Sequence, residues 1–94
     1  LMDPAADLGV VIALASALLD KPVAFDTAIL GEVGLSAEVR SVPQLAVRVQ
    51  EARKLGFKRC IVPQNNLKMN KELDVRAIKL IGVETVKQAL EELT

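Results

Sequence analysis

The chain has 94 residues, of which 51% are apolar and 26% charged, and its formal net charge is zero. This length predicts a single domain or part of one, and the balance of apolar and charged residues is that of a globular protein. Histidine is absent and Cys60 is the only cysteine, which excludes a Ser-His-Asp triad, an intrachain disulfide and a cysteine-based zinc cluster.

The first predicted element is a helix over residues 4–19. Asp3 before Pro4 is a helix-start signal, because the carboxylate accepts from free amides and proline needs no donor. Since the helix is apolar nearly all round, we expect it to be buried on more than one side. Its apolar run is shorter than the roughly 20 residues of a membrane span, and acidic residues precede it where a secretory signal is basic. We therefore expect no membrane contact and a cytoplasmic location.

The middle of the chain predicts two strands and a second helix. Residues 27–33 are followed by a glycine-assisted turn and a short return strand over residues 38–42. Pro43 opens a helix, and Gly56 stands where a left-handed residue commonly ends one. The apolar stripe of this helix consists of Leu45, Val49, Ala52 and Leu55.

The last third predicts a buried strand over residues 60–63, in which Cys60 is a small core residue. A polar, irregular stretch over residues 64–72 follows, then a strand over 77–83 and a closing helix over 84–93. This order of elements predicts an α/β or α+β fold, with a small mixed sheet flanked by three helices.

Residues able to carry chemistry are sparse. The five glycines form neither a P-loop nor a dinucleotide-binding fingerprint, and the carboxylates at 3 and 7 are more typical of a helix start than of a metal site. Without histidine, a serine nucleophile needs a lysine base in a desolvated pocket, and the lysines lie in polar stretches. We therefore expect no metal site and no peptidase activity.

Charge is distributed unevenly along the chain. Residues 1–39 contain six acidic residues and one basic residue, whereas residues 40–79 contain ten basic and three acidic ones. A basic middle segment is consistent with contact to phosphate groups or to an acidic neighbouring subunit, and also with an ordinary solvated surface.

Several short motifs, taken in order and spacing, resemble a known family. They comprise residues 3–8, 21–23 with 26–27, 31–36 with 38–40, 51–59 leading into 61–63, and 82–83 with the helix that follows. Together they resemble the C-terminal portion of a Lon-protease-type domain, most closely the version in the RadA (Sms) family of bacterial DNA repair proteins. That domain is longer on its N-terminal side, so the resemblance implies that residues 1–94 are a single partial domain whose N-terminal part is missing.

The resemblance also implies that the catalytic pair is lost. In the active peptidases the first motif reads glycine-proline-serine-alanine-glycine, and its serine is the nucleophile. Pro4 matches the proline, and Ala5 occupies the place of the serine. The peptidases carry a lysine early in the helix after the Gly-Glu strand pair, and that position falls on Ala46. We therefore expect these residues not to form an enzyme.

Finally, the resemblance implies partners. RadA-like proteins couple a zinc-binding segment, a RecA-like ATPase and this Lon-like domain, assemble as hexameric rings and drive branch migration on DNA in recombination. We expect a non-catalytic scaffold that serves ring assembly with copies of itself and contact with DNA. ATP, magnesium and zinc are then cofactors of the parent protein and not of these residues. The candidates for phosphate contact are Arg40, Arg48, Arg53, Lys54, Lys58 and Arg59. The alternatives are a serine-lysine peptidase of the Lon type and a Lon-related, ATPase-associated module outside DNA repair.

Overall fold

The computed structural model describes residues 3–23, 26–69 and 78–94. A 3-10 turn, Pro4–Ala6, opens the described chain and leads directly into the first helix. The helices are α1 (Asp7–Leu19), α2 (Leu45–Lys54), α3 (Gln64–Met69) and α4 (Val86–Leu93). The strands are β1 (Thr27–Ile29), β2 (Glu32–Val33), β3 (Val39–Arg40), β4 (Arg59–Pro63) and β5 (Lys79–Val83).

A three-stranded parallel sheet lies at the centre, with β4 between β1 and β5. The strands begin in register, since Thr27 lies beside Arg59 and Arg59 beside Lys79. β2 and β3 form a separate antiparallel pair. The Val39 N–H joins this pair to the end of β5 by donating to the Glu84 carbonyl oxygen at 2.8 Å. The predicted α/β fold is confirmed, but in place of the single mixed sheet that the sequence predicted, the described strands form a parallel sheet and a separate antiparallel pair.

Helices cover both faces of the parallel sheet, because successive side chains along a strand point to opposite faces. In β4, Cys60 and Val62 pack toward α2, whereas Ile61 packs toward α1 and α4. The prediction that Cys60 is a core residue is confirmed. The buried residues on the first face, called the α2 cluster below, are Ala5, Val42, Leu45, Val49, Ala52, Cys60, Val62 and Ile78.

Helix α1 differs from the prediction that it is buried on more than one side. Within the described structure only Leu8 and Ile12 are buried. The opposite face is exposed, with Leu14 at 61% and Leu18 at 87%. The sequence therefore predicted the helix correctly. Its prediction of burial on more than one side was wrong, because the described residues cover only one side of α1.

Helix α3 corrects the prediction that residues 64–72 are irregular, because residues 64–69 are helical. The side chain of Asn66 is 2% exposed; its Oδ1 accepts from the Val42 N–H at 2.8 Å and its Nδ2 donates to the Val42 carbonyl oxygen at 3.0 Å. Leu67 packs against the α2 cluster. Contacts with distant residues hold this polar segment in a helix, so its own sequence does not show it. The rest of that stretch and the predicted first residue of the last strand lie outside the described residues.

Candidate functional site

The turn before α1 is held tightly at the end of β1. Asp3 Oδ1 accepts from the Ala5 N–H at 3.0 Å, as the helix-start signal predicts. The Gly31 N–H donates to the Ala5 carbonyl oxygen at 2.9 Å, and the Leu8 N–H donates to the Gly31 carbonyl oxygen at 3.0 Å. Ala5 itself is 2% exposed within the α2 cluster. At the position that the resemblance aligns with the peptidase serine, the structure therefore presents a buried methyl group.

Arg48 is the side chain of α2 that reaches this turn. Its Nη1 donates to Asp3 Oδ2 at 2.8 Å, and its Nε donates to the Pro43 carbonyl oxygen at 2.9 Å. The hydrogen bond from Arg48, followed by that from the Ala5 amide, lowers the pKa of the Asp3 carboxyl below its usual value. A guanidinium stays protonated in proteins, so Arg48 cannot act as a base here.

The two positions that the resemblance aligns with the peptidase serine and lysine differ in their surroundings. Ala5 is buried in the α2 cluster, whereas Ala46 is exposed. The inward stripe of α2 runs through Leu45 and Val49, and position 46 lies about 100° around the helix from position 45. The helix thus meets the Asp3–Ala5 turn through Arg48, and the structure does not place Ala46 there.

Two described hydroxyl groups, those of Ser16 and Thr27, are hydrogen-bonded, and neither is bonded to a lysine amine. Ser16 Oγ donates to the Lys21 carbonyl oxygen at the exposed end of α1. Thr27 is buried. Its Oγ1 donates to Asp26 Oδ1 at 3.0 Å and accepts from Arg59 Nε at 3.0 Å. All described lysines are exposed. No desolvated amine therefore lies beside a hydroxyl among these residues.

Metal binding and cysteine chemistry have little support. Among residues 3–23, 26–69 and 78–94, no three His, Cys, Asp or Glu side chains are grouped closely enough to hold a metal ion. Cys60 is fully buried, and desolvation raises the pKa of its thiol to about 12. A thiol in this state is protonated at neutral pH and is not a nucleophile.

The six basic candidates for phosphate contact differ in their ion pairs. Arg40 pairs with Glu38 at 3.2 Å and lines a cavity of about 260 Å³ near the end of β5. Arg48 is paired with Asp3, and Arg59 lies 3.9 Å from Asp26 while it donates to Thr27.

The other three candidates have a long ion pair or none among the residues that the structure describes. Lys54 lies 4.0 Å from Glu51, and both side chains are more than half exposed. Arg53 and Lys58 are exposed and form no ion pair with any residue that the structure describes. Sequence reasoning did not select Lys79, which is exposed and lies beside Arg59 at the start of β5. Only the strand register, which the sequence does not show, reveals this neighbour.

None of the helices in the described ranges is long and apolar enough to cross a bilayer.

Comparison with known proteins agrees with the resemblance seen in the motifs. The family described as the Lon protease (S16) C-terminal proteolytic domain matches residues 2–94. The DNA repair protein RadA of Listeria monocytogenes is 43% identical over 93 residues, which cover 96% of this chain and 19% of that relative. The DNA repair protein RadA of Bacillus subtilis is 46% identical over 88 residues, covering 94% and 19%. The chain thus spans about one fifth of the length of these relatives.

Proposed function

This chain belongs to the Lon protease C-terminal domain family, and we propose that it is a non-catalytic scaffold domain of a RadA-type DNA repair protein. Its relatives named DNA repair protein RadA share more than 40% of its residues across nearly the whole chain. The scaffold holds neighbouring copies in a ring and contacts DNA, and we place it in the cytoplasm. ATP, magnesium and zinc are assigned to the parts of a RadA-type protein that lie outside its Lon-like domain.

The observation that carries the non-catalytic part is the Asp3–Ala5 turn. Nucleophilic catalysis by a serine needs a hydroxyl and a base within hydrogen-bond reach of each other. The turn presents the Ala5 methyl instead, and the basic side chain that reaches it is the protonated Arg48. Both requirements are therefore unmet at the place where active relatives carry their serine.

Hydrolysis of an unstructured protein tests this part. We expect no increase in free amino groups when the chain is incubated with an unfolded substrate, beside an active Lon-type peptidase as positive control. The Ala5→Ser variant restores the hydroxyl alone, and we expect it to stay inactive because Arg48 still supplies no base. Cleavage by the chain itself would show that its catalytic groups lie elsewhere, and cleavage by Ala5→Ser would show that a base is present.

Opposite charges on the two halves of the chain support ring assembly. Six acidic residues precede position 40, and the basic residues lie mainly after it. Asp3, Asp26 and Glu38 pair with arginines of the same chain, so Asp7, Asp20 and Glu32 are the acidic residues of this segment that are left to meet basic residues of the next copy. Light scattering after gel filtration measures the assembly. We expect the mass to fall toward that of one chain as ionic strength rises, because salt screens exposed charges. A single-chain mass at low salt would contradict self-assembly by these residues.

DNA contact and subunit contact both require basic side chains, and a charge-reversal variant distinguishes the two roles. The charge-reversal variant Arg53→Glu/Lys54→Glu weakens DNA binding if these side chains meet phosphates, and disperses the assembly if they meet a neighbour. Measuring DNA affinity and mass on the same preparation distinguishes these results. A variant that keeps wild-type values for both would remove Arg53 and Lys54 from either role.

A further inference from the structure

One face of helix α1 is apolar along its whole length and is left uncovered by the residues that the structure describes. Six positions share this face, because residues three or four apart lie on the same side of a helix. All six are exposed, and at about 1.5 Å per residue they extend over about 18 Å. This set, called the outer α1 face here, consists of Ala6, Val10, Ala13, Leu14, Ala17 and Leu18.

The continuity of this face distinguishes it from ordinary surface leucines. Single exposed apolar side chains are common, whereas a contiguous apolar patch marks a contact surface. Between Asp7 and Asp20 the sequence of α1 contains no charged residue, and Ser16 is its one polar side chain. The Ser16 hydroxyl already donates to the Lys21 carbonyl oxygen. The outer α1 face therefore offers apolar contact and no polar group that would select a charged ligand.

A second copy of this chain satisfies the chemistry of the face. A two-fold contact uses the same patch on both copies, so the patch must be complementary to itself. An apolar face free of charge meets this condition, because neither copy buries an unpaired charge against the other. Its alanines also allow close packing, since the distance between two helices depends on the side chains at their contact.

A membrane surface fits the face less well. Helices that lie in the bilayer interface carry Lys and Arg beside their apolar side, which attract anionic lipids. The outer α1 face instead has Asp7 at one end and Asp20 at the other, with Lys21 as the one basic residue beside them. The charges at its ends therefore favour a protein partner.

The two ends of α1 favour an antiparallel arrangement. A helix carries partial positive charge at its N-terminus and partial negative charge at its C-terminus, so antiparallel neighbours bring unlike ends together. Asp7 lies on the same side of α1 as Leu14, since seven residues make nearly two full turns. Parallel copies would place their Asp7 carboxylates together. Antiparallel copies place each Asp7 at the end of the other helix, where Lys21 is exposed.

We propose that two copies of this chain pack their outer α1 faces against each other, with the helices antiparallel about a two-fold axis. The ring contact proposed above joins unlike charged surfaces, so this inference goes beyond it and does not depend on it. A face about 18 Å long and about 10 Å wide covers a few hundred Å², which is less than the roughly 800 Å² per partner of a standard interface. The contact is therefore reversible, and dilution during gel filtration disperses it.

Sedimentation equilibrium at high ionic strength isolates this contact. At about 1 M salt the Debye length is about 3 Å, so contacts between exposed charges are screened. We expect the wild-type mass to rise from one chain to two as the chain concentration increases, and to stop there. Leu14→Glu should raise the concentration for half-dimerisation at least about tenfold, because it buries a charge without a partner. Leu55→Glu is the matched control, the same change at a leucine that is 76% exposed just after α2, and we expect it to dimerise as the wild type does.

Thiol cross-linking tests the orientation. In an antiparallel pair, residues at the middle of the face lie opposite their own copies, whereas residues at its end lie apart by about the length of the face. With a short bifunctional maleimide we expect Ala13→Cys to form a two-chain product and Ala6→Cys to remain as single chains. Cys60 is buried and is not expected to react. Cross-linking through both positions would overturn the antiparallel arrangement, and cross-linking through neither would overturn the contact.

The outcomes separate this contact from the ring. A single-chain mass at every concentration in high salt would overturn the α1 contact, and assembly at low salt would then leave the ring contact standing. A two-chain mass at both low and high salt would support the α1 contact and contradict the ring. Equal dimerisation of the wild type and Leu14→Glu, with circular dichroism showing both folded, would assign the dimer to another surface. Flotation of the wild type with phosphatidylcholine vesicles, lost in Leu14→Glu, would make a bilayer the occupant of the face and overturn the second copy.

Discussion

Replacing Asn66 by alanine tests why α3 exists. The Asn66 amide accepts from the Val42 N–H at 2.8 Å and donates to the Val42 carbonyl oxygen at 3.0 Å, and both residues are buried. Truncation leaves the two backbone groups of Val42 without these partners in a region closed to water. Because Val42 precedes α2, the same contact fixes α3 to the start of that helix.

The expected loss of stability is large. Each buried polar group left unsatisfied costs about 1–3 kcal/mol, so the two groups together cost roughly 2–6 kcal/mol. A chain of this length has a total stability of about 5–14 kcal/mol, at 0.05–0.15 kcal/mol per residue. The Asn66→Ala variant thus loses a substantial part of the free energy of unfolding. With a urea m-value of about 1–2 kcal/mol/M, its midpoint falls by at least about 1 M.

Urea unfolding followed by circular dichroism measures this loss. Asn65→Ala is the matched control, since Asn65 is its exposed neighbour on the same helix, and exposed substitutions usually change stability by less than about 0.5 kcal/mol. Equal midpoints for the two variants would refute the reasoning, because α3 would then not depend on the bonds between Asn66 and Val42.

Three further predictions follow from the burial and charge of single side chains. Leu8→Ala should lower the free energy of unfolding by about 2–5 kcal/mol, because it opens a cavity in the core. Leu14→Ala, on the exposed face of α1, should lower it by about 0.5 kcal/mol or less. Chemical unfolding measures both values. Removal of the guanidinium in Arg48→Ala should raise the pKa of the Asp3 carboxyl in an NMR titration, and an unchanged pKa would contradict the contact. In the wild type this lowered pKa favours the folded state above the ordinary carboxyl pKa, and the contribution is lost as pH falls through the folded value. Cys60 should resist a thiol reagent at neutral pH in the folded chain and react once urea unfolds it; rapid reaction in the absence of urea would contradict its burial.

Local signals in the sequence predicted the elements that depend on local chemistry. Asp3 accepts from the Ala5 amide at the start of the first helix, and Gly56 has a φ of +93° just after α2. Both follow from backbone requirements within a few residues, namely a free amide to satisfy and a conformation that glycine tolerates. Helix α3 was missed, because its stability comes from Asn66 and its distant partner Val42.

The candidate site was only partly predictable for a related reason. The motif identified Ala5 as the residue aligned with the peptidase serine, and the structure shows that its methyl group is buried in the α2 cluster. Which basic side chain reaches the turn depends on how α2 is rotated against the sheet, and this rotation brings Arg48 there. The register of parallel strands places Lys79 beside Arg59, although twenty positions separate them in the sequence. Such pairings arise from topology and leave no local pattern.

Covalent labelling tests the central claim most directly, since it requires an activated hydroxyl and nothing else. The chain is incubated with a serine-directed fluorophosphonate probe, beside an active Lon-type peptidase, and its intact mass is measured. We predict an unshifted mass, because a buried methyl at Ala5 and a protonated guanidinium at Arg48 stand where a nucleophile and its base would be needed. A mass increase by one probe adduct on a serine or threonine would contradict the account.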